Sequence, residues 1–375
     1  MEQIRVLHIV GAMNRGGTEN LIMELYRNTD RSKVQFDFLV YNYSNQPGAF
    51  DDEILSLGGK IYQADKRFYR QPFAFFKELK QFLKQHNEYR MVHIHQFAHS
   101  GYMARIAKRN FHLKTIVHSH STYFASNPLR KIISFFNVRF IKKYADFLFG
   151  CSTDAIEQRL NIKIDNKRAF VVNNCIDVEK FAFDSEQREK WRRAFGAGDS
   201  TRVIGNVARF TREKNHELII QAFHFIHSDV PDSKLVLIGD GDRKHMMEKL
   251  VQEKGLTDSV LFLGVREDVN SIINALDVFL MPSRFEGLGI VLIEAQANGL
   301  PCVASELVIP KEADVGAGIV TRVSLEENAQ TWAKKCLEVS GRLESEKAQQ
   351  AVKTAGFTSD KTAAWLQDFY LKNWK

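Results

Sequence analysis

Short apolar runs alternate with amphipathic stretches along most of the chain. The two periods are typical of strands and helices, and their alternation predicts βαβ units with parallel sheets. In the first half the predicted strands are 5–10, 35–40, 60–62, 91–95, 114–118 and 147–151, and the predicted helices are 18–27, 51–57, 72–86, 101–109, 129–143 and 153–160.

The second half repeats this pattern after a polar, charged stretch at 173–200, which lacks strand character and is the predicted linker. We expect an α/β fold of two Rossmann-like, doubly wound domains, with ligands in a cleft at the carboxyl ends of the strands. The predicted divisions are an amino-terminal domain 1–172, the linker, a carboxyl-terminal domain 201–357 and a final helical segment 358–375. The second-half strands are 203–208, 234–238, 260–263, 278–281 and 301–304, and the helices are 216–225, 243–254, 268–275, 290–298 and 360–375.

Composition narrows the class of protein. A chain of 375 residues with 44% hydrophobic and 26% charged residues is typical of a globular protein with two domains. Its apolar runs fall short of the roughly 18 residues that a membrane-spanning helix needs, and its start lacks a secretory signal pattern. The four cysteines, which include no C-x-x-C pair, suggest reduced thiols, so we expect a cytoplasmic protein. The net charge of +7 suits phosphate-bearing ligands or an anionic membrane, but is too diffuse for nucleic acid.

The segment 284–301 carries the most specific pattern. It reads RFEGLGIVLIEAQANGLP and follows a predicted strand. A glycine turn at a helix start offers backbone N–H groups and the positive end of the helix dipole, which together bind phosphate. Glu286 precedes this turn, and Glu294 lies eight positions later in the helix. Because carboxylates repel phosphate, both should face sugar or ribose hydroxyls, and the segment predicts a nucleotide-sugar site.

Two further strand ends in the second half carry candidate ligand groups. Arg209 and Lys214 suit a diphosphate. A solvated basic loop is the alternative. The predicted phosphate-binding turn at 286–289 (the phosphate seat) lies in the same domain, however, and favours binding of a diphosphate. The turn Gly239-Asp240-Gly241-Asp242 lacks the third glycine of a dinucleotide fingerprint. Its acidic pair could hold a divalent metal, although we favour an ordinary turn because Arg209 and Lys214 already supply positive charge.

The first strand is followed by a glycine loop. Gly16 and Gly17 open a helix, but Gly17 stands where a nucleotide-hydrolysing P-loop has lysine. Adjacent glycines permit close approach of a ligand to the backbone. We interpret the loop as facing the cleft, and an ordinary tight turn fits equally well.

Histidines cluster near two predicted strand ends. The H-x-H spacing could ligate zinc, but no cysteine or acidic residue nearby completes a set, so a metal site ranks lowest. We expect His93 in the core, and His118 or His120 as a hydrogen-bonding partner of a sugar. The cluster comprises His93, His95, His99, His118 and His120.

The segment 127–146 is basic and rich in aromatic residues. Its five cations and apolar stripe suit a helix that lies on an anionic bilayer surface. A helix that buries its Phe and Ile face on the sheet and exposes Lys and Arg fits the pattern about as well. The sequence leaves both interpretations open.

Taken together, these motifs resemble the retaining glycosyltransferases of family 4, whose two-domain fold is termed GT-B. The resemblance runs through nearly the whole chain, and in that fold the last helix crosses back onto the amino-terminal domain. His118-Ser119-His120 and Trp332-Ala333 are similar to the bacterial exopolysaccharide or capsule type. The resemblance is carried by Glu286-x7-Glu294 within F-E-G-L-G-x4-E-A-x-A-x-G-x-P, by Arg209-x4-Lys214, and by Gly16-Gly17-Thr18-Glu19.

The resemblance implies a role for each of these residues. Glu294 would bind the ribose hydroxyls of the donor, and Glu286 would hold hydroxyls of the transferred sugar. Arg209 and Lys214 would neutralise the leaving diphosphate, and His118 or His120 would contact the sugar or the acceptor. The other donor-binding candidates are Gly287, Leu288, Gly289, Gly239 and Arg266, while Gly16 and Gly17 would line the acceptor side.

The implied activity is a retaining hexosyl transfer from a nucleoside-diphosphate sugar, with a UDP-sugar as the expected donor. The acceptor would be a glycan or a lipid-linked acceptor in cell-surface polysaccharide synthesis at the inner membrane face. Such enzymes usually need no metal, so no cofactor is expected. A nucleotide-sugar epimerase on the same fold and a non-catalytic nucleotide-sugar-binding scaffold are the alternatives.

Overall fold

The alternating apolar runs form two parallel β-sheets. The structure is a computed structural model that describes residues 3–41, 47–64, 72–95, 99–120, 128–157 and 160–374. It divides into two units, of which the first comprises Met1–Ile176 with Thr358–Lys375 and the second comprises Asp177–Phe357. Position 127 of the predicted basic helix and positions 158–159 of another predicted helix lie outside the described residues.

The first unit contains a seven-stranded sheet within the described ranges, in the order β3-β2-β1-β4-β5-β6-β7. All described pairings in it are parallel, as expected for βαβ units. Its strands are β1 (Ile4–Val10), β2 (Val34–Val40), β3 (Ile61–Gln63), β4 (Met91–Ile94), β5 (Lys114–Ser119), β6 (Phe147–Gly150) and β7 (Ala169–Val171); its helices are α1 (Gly17–Arg27), α2 (Asp51–Ser56), α3 (Pro72–Gln85), α4 (Ser100–Phe111), α5 (Pro128–Tyr144) and α6 (Thr153–Glu157).

The second unit contains a six-stranded parallel sheet in its described part, in the order β10-β9-β8-β11-β12-β13. The strand order reverses beside β8, and such a switch point is where doubly wound folds bind ligands. Its strands are β8 (Arg202–Val207), β9 (Ser233–Ile238), β10 (Val260–Phe262), β11 (Val278–Met281), β12 (Cys302–Ser305) and β13 (Val320–Val323); its helices are α7 (Ser185–Ala194), α8 (His216–Asp229), α9 (Lys244–Glu253), α10 (Val269–Ile272), α11 (Ile290–Ala297), α12 (Ala329–Glu338) and α13 (Ser345–Thr354).

The last helix, α14 (Ser359–Asn373), belongs to the first unit although it follows the second in sequence. Ala363, Leu366 and Tyr370 are buried in a cluster with side chains of β1, β2 and α1. A second cluster fills the opposite face of the same sheet under α3, α4 and α5. Helices therefore cover both faces of the sheet, which explains why its strands are apolar on both sides.

The stretch 173–200, predicted as a linker, contains helix α7. Asp184 caps this helix by accepting hydrogen bonds from the backbone N–H groups of Glu186 and Gln187. Arg188 and Arg192 pair with Asp277 and tie α7 to the second unit, which begins at Asp177. The sequence pattern did not predict α7, because ion pairs rather than an apolar stripe hold this helix in place.

Short or weakly apolar elements were also missed by the sequence pattern. Strands β7 and β13 have three and four residues and are only partly buried. Helices α12 and α13 follow β13 in a stretch for which the sequence pattern predicted no helix. Among the described helices, none has the length and apolar character needed to cross a membrane.

Candidate functional site

Loops at the carboxyl ends of β8, β9 and β11 lie side by side in the second unit. These strands are neighbours in the sheet, in the order β9-β8-β11. Because parallel strands end at the same edge, the loops after them meet at the strand-order switch point. They carry Arg209 and Lys214 after β8, Gly239 after β9 and Glu286 after β11. The structure thus brings together candidates that are up to 77 positions apart in sequence.

An ion pair joins two of these loops. Lys214 Nζ lies 2.6 Å from Glu286 Oε1, and the Glu286 side chain is only 6% exposed. A buried carboxylate is costly unless an opposite charge and hydrogen bonds compensate it. The pair therefore holds a cation and a carboxylate in a fixed relation beside the start of α11.

Backbone and amide contacts fix the same two loops. The Arg284 backbone N–H donates to Glu213 O at 2.7 Å, and Asn215 Nδ2 donates to Pro282 O at 3.1 Å. Arg284 Nη2 donates to Asn215 Oδ1 at 2.9 Å. The sequence patterns did not single out Arg284 or Asn215, although the αL conformation of Asn215 (φ 56°) at the start of α8 is a common use of asparagine.

Helix α11 begins at a glycine in a left-handed conformation. Gly289 has φ 84°, which a residue with a Cβ rarely adopts, so the turn favours glycine at this position. No side chain caps this terminus within the described residues. The backbone N–H groups of Leu288 and Gly289 lie in the turn, and Glu294 follows in the second turn of the helix, half-buried. The phosphate seat has the strand–turn–helix form that the sequence predicted.

Three other donor-site candidates are placed differently. Arg209 is exposed directly beyond β8. Gly239 has φ 135°, and a Cβ there would collide with the Ala208 carbonyl, so its glycine is required by the close approach of the loops after β8 and β9. Arg266 pairs with Asp268 at 2.8 Å and lies over the Trp191 ring. It follows β10, three strand positions from β11 or about 14 Å at the usual spacing, so its donor-binding role stays a prediction.

A buried histidine lies beside this site. His216, at the start of α8, stacks on Phe210 with ring centroids 4.0 Å apart. Burial, together with the charges of Lys214 and Arg243, lowers the pKa of His216 to about 4. Burial is the larger cause of this shift, and the smaller effect of the two cations shows that their positive charge lies close to His216.

In the first unit, five histidines form a layer on one face of the sheet, under α14. His8 on β1 is paired in register with His93 on β4, and His118 lies on β5 beside Phe149 of β6. His95 and His120 sit two positions beyond His93 and His118, so they share the same face. His93 is buried and its Nδ1 lies 2.6 Å from the Tyr370 hydroxyl, which confirms the expected core position.

The predicted cluster gains one histidine and loses another. His8 was overlooked because only register brings β1 beside β4. His99 instead starts α4 with φ 65°.

Burial keeps this layer neutral. It lowers the pKa of His8 and of His120 to about 3, and lowers those of His93, His95 and His118 well below the usual value. Two sets of three histidines have ligand nitrogens within 4.8 Å of one another, so a third histidine completes the set for which the sequence offered no cysteine or acid. Both sets consist of histidine alone, and a dication would lie in buried surroundings without an acidic ligand. They are His8, His93 and His95, and His95, His118 and His120.

The glycine loop of the first unit lies at the start of α1. Gly16 precedes the helix with φ −122° and ψ 166°, and no side chain caps the helix in the described chain. A Cβ on Gly17 would meet nothing within 4 Å. Neither position therefore requires glycine for its backbone angle, and their ligand-facing role stays a prediction.

The two sheets and their strand order define the class of fold, which is GT-B. HepE of Anabaena, in a crystal structure with UDP and glucose, has the same fold. It matches 99% of this chain and 100% of its own with a TM-score of 0.76 at 17% sequence identity.

Sequence relatives then identify the family. The Glycosyltransferase Family 4 profile matches residues 15–180, and the Glycosyl transferases group 1 profile matches residues 187–356. EpsF of Bacillus subtilis (strain 168) is 34% identical over 373 residues, covering 98% of this chain and 96% of its own. The chain therefore belongs to glycosyltransferase family 4.

Two further relatives indicate the kind of biosynthesis in which the chain takes part. The capsular polysaccharide biosynthesis glycosyltransferase CapH of Staphylococcus aureus is 24% identical and covers 81% of this chain and 82% of its own. The UDP-Gal:alpha-D-GlcNAc-diphosphoundecaprenol alpha-1,3-galactosyltransferase of Escherichia coli is 29% identical and covers 59% of this chain and 58% of its own. The chain is a glycosyltransferase of the bacterial exopolysaccharide or capsule type.

Proposed function

We propose that this enzyme moves a hexose from a UDP-sugar to a hydroxyl of a lipid-linked glycan acceptor, with retention of anomeric configuration. The observation that carries the proposal is the ion pair between Lys214 and Glu286 at the start of α11. It holds a cation where a diphosphate would reach the helix terminus and a carboxylate where the sugar hydroxyls would follow. HepE was crystallised with UDP and glucose, and the name of the Escherichia coli relative gives a UDP-sugar and a diphosphoundecaprenol acceptor.

In this proposal positive charge acts where negative charge develops. As the sugar–phosphate bond breaks, charge grows on the β-phosphate, so Lys214, Arg209 and the backbone N–H groups of Leu288 and Gly289 stabilise the transition state. Glu286 holds the sugar hydroxyls, and Glu294 holds the ribose. These cations and the helix dipole supply the charge that a metal supplies in other transferases, so we propose transfer without a divalent ion.

Retention follows in this proposal if the acceptor attacks the face that the diphosphate leaves. An oxygen of the departing phosphate then takes the proton of the attacking hydroxyl, and no nucleophilic side chain is required. His118 or His120 would contact the sugar or the acceptor from the first unit.

The exposed face of α5 supports the proposal that the enzyme acts at the inner surface of the membrane. Ile132, Phe136, Arg139 and Lys143 follow one another at helical spacing and are all exposed, and the adjacent Phe135 is 65% exposed. The opposite face packs on α4, where Asn137 Oδ1 accepts a hydrogen bond from the Gly101 backbone N–H. Since Ile132, Phe135 and Phe136 are exposed while Ile141 is buried in the core, we propose that this exposed face lies on an anionic bilayer at the cytoplasmic side.

The test is donor turnover with and without an acceptor. Purified enzyme is incubated with UDP-glucose, UDP-galactose and UDP-N-acetylglucosamine, with and without undecaprenyl-diphosphate sugars, and in EDTA. UDP release that requires acceptor, survives EDTA and gives an α-anomer by NMR supports the proposal. Interconversion of the UDP-sugars without acceptor would point to an epimerase, whereas UDP binding without turnover would point to a scaffold.

A further inference from the structure

The ladder of backbone pairs between β8 and β11 ends before the loops of the proposed donor site. The last register pair described between these strands joins Gly205 to Phe279. Lys214 lies nine positions beyond Gly205, and Glu286 lies seven positions beyond Phe279. Because loops beyond a ladder lack its regular hydrogen bonds, other contacts must hold the lysine and the glutamate at 2.6 Å.

Asn215, directly after Lys214, joins the two loops through its side chain. Its Nδ2 donates to Pro282 O at 3.1 Å, and its Oδ1 accepts from Arg284 Nη2 at 2.9 Å. Asn215 is only 4% exposed, and a hydrogen bond shielded from water is stronger than one in water. The Arg284 backbone N–H donates to Glu213 O at 2.7 Å and adds a third link. The chain is thus fixed on both sides of Lys214.

We propose that Asn215 is a positioning residue, which holds Lys214 within reach of the departing diphosphate by fixing the loop after β8 to the loop after β11. The inference rests on the proposed function of Lys214 as a cation that faces the diphosphate. Asn215 acts through Lys214 and need not touch a substrate itself.

Asparagine meets three requirements of this position at once. Asn215 has φ 56° and ψ 41°, in the left-handed region that asparagine and glycine enter at low cost. A guanidinium offers only donors and the Pro282 carbonyl only accepts, so the side chain must supply both an acceptor and a donor. Glycine has neither group, and an ionised aspartate has acceptors alone. The same two partners determine which atom of the amide is Oδ1 and which is Nδ2.

The test combines Asn215→Gly with Lys214→Ala in the full-length enzyme. Glycine keeps the left-handed backbone and removes only the two side-chain bonds, so kcat should fall about tenfold, the scale of one to two hydrogen bonds. In the Lys214→Ala background the same change should alter kcat by less than about twofold, because no lysine remains to be positioned. Asn161→Gly is the matched control, since Asn161 is exposed with φ 51° in the first unit, and it should keep parental kinetics.

A purely structural role of Asn215 would give a different result. It would lower the free energy of unfolding, and any loss of kcat would be the same with and without Lys214. Equal losses in the two backgrounds, or parental kcat in Asn215→Gly, would therefore overturn the inference. If Asn215→Gly does not fold, Arg284→Ala decides by the same comparison, because Arg284 is exposed and supplies one of the two bonds. Its expected loss of kcat is about threefold with Lys214 present and absent without it.

A crystal structure of Asn215→Gly reads the geometry without any turnover. We expect Lys214 to leave Glu286 or to occupy several conformers, whereas a single lysine conformer at the parental distance would overturn the inference. Failure of the proposed function appears separately, as parental kcat in Lys214→Ala or as no turnover with any UDP-sugar. In either case the structure of Asn215→Gly still decides whether Asn215 positions Lys214.

Discussion

At the scale of single residues, the pairing of Lys214 with Glu286 is the contact on which the proposed donor site depends. The two lie 72 positions apart and meet only because β8 and β11 are adjacent in the sheet. In the proposed reaction the lysine faces the leaving diphosphate, whose charge is greatest in the transition state.

We expect Lys214→Ala to lower kcat about 100-fold, the effect of removing one donor from a developing oxyanion. Dissociation constants for the donor, measured by calorimetry, should rise by a smaller factor. Lys249→Ala, whose side chain is 71% exposed on α9, is the matched control and should keep parental kinetics. If Lys214→Ala raises only KM, the lysine serves binding and not the departure of the diphosphate.

The histidine layer gives a second prediction at this scale. Free histidine titrates near pH 6.5, whereas burial lowers the pKa of His8 to about 3 in the folded chain. Between these values the unfolded chain binds the proton and the folded chain does not, so stability falls as pH falls below about 6.5.

Each such histidine should cost about 1.4 kcal/mol of unfolding free energy per pH unit in that window. Denaturant unfolding measured from pH 7.5 to pH 5 should therefore show a steep loss of unfolding free energy. In His8→Asn the slope of this loss should be smaller by the contribution of one proton. His245→Asn, with a side chain 94% exposed, should leave the slope unchanged. Equal slopes for the parent and His8→Asn would contradict the buried, neutral state of His8.

The site residues show where sequence inference ends. Glu286, Gly289 and Glu294 lie in one segment, so their strand–turn–helix setting was readable from local pattern. The partner of Glu286 and the membership of His8 in the histidine layer depend on strand order and register, which local pattern does not determine. The left-handed conformation of Gly289, with φ 84°, is likewise visible only in the folded turn.

At the scale of elements, most strands and helices were predicted because their apolar positions repeat clearly. Both sheets and their parallel sense followed from the alternation of the elements. Helix α7 was missed because Asp277 and the Asp184 cap hold it, and neither contact has a periodic signature. Strands β7 and β13, which are short and only partly buried, were missed as well.

Helix α5 carries the prediction at this scale. Replacing Phe135 and Phe136 with serine should abolish sedimentation of the enzyme with vesicles of anionic phospholipid, because the exposed apolar face is lost. Replacing Arg139, Lys142 and Lys143 with glutamine should weaken it and remove its dependence on salt. Leu307→Ser, at a residue 91% exposed in the second unit, is the control for general hydrophobicity. Unchanged sedimentation of both variants, or none in the parent, would remove the membrane proposal.

At the scale of the whole molecule, the chain combines the fold of its family with one proposed donor site. The GT-B fold and the family are established by the fold match and by the relative that covers 98% of the chain. In the proposed function, the nucleotide base, the transferred sugar and the lack of a metal requirement depend on side chains of the second unit. A measurement on the binding of nucleotide alone therefore tests the central claim without knowledge of the acceptor.

That measurement is calorimetric titration of the enzyme with UDP, GDP and ADP, in magnesium and in EDTA. We predict that UDP binds best, equally well in EDTA. Glu294→Ala should weaken its binding by about 1.5–3 kcal/mol, the scale of a hydrogen bond to a charged group. Glu253→Ala on α9, with a side chain 58% exposed, should bind UDP like the parent. Binding that requires magnesium would assign the diphosphate to Asp240 and Asp242, and parental UDP affinity in Glu294→Ala would contradict the proposed donor site.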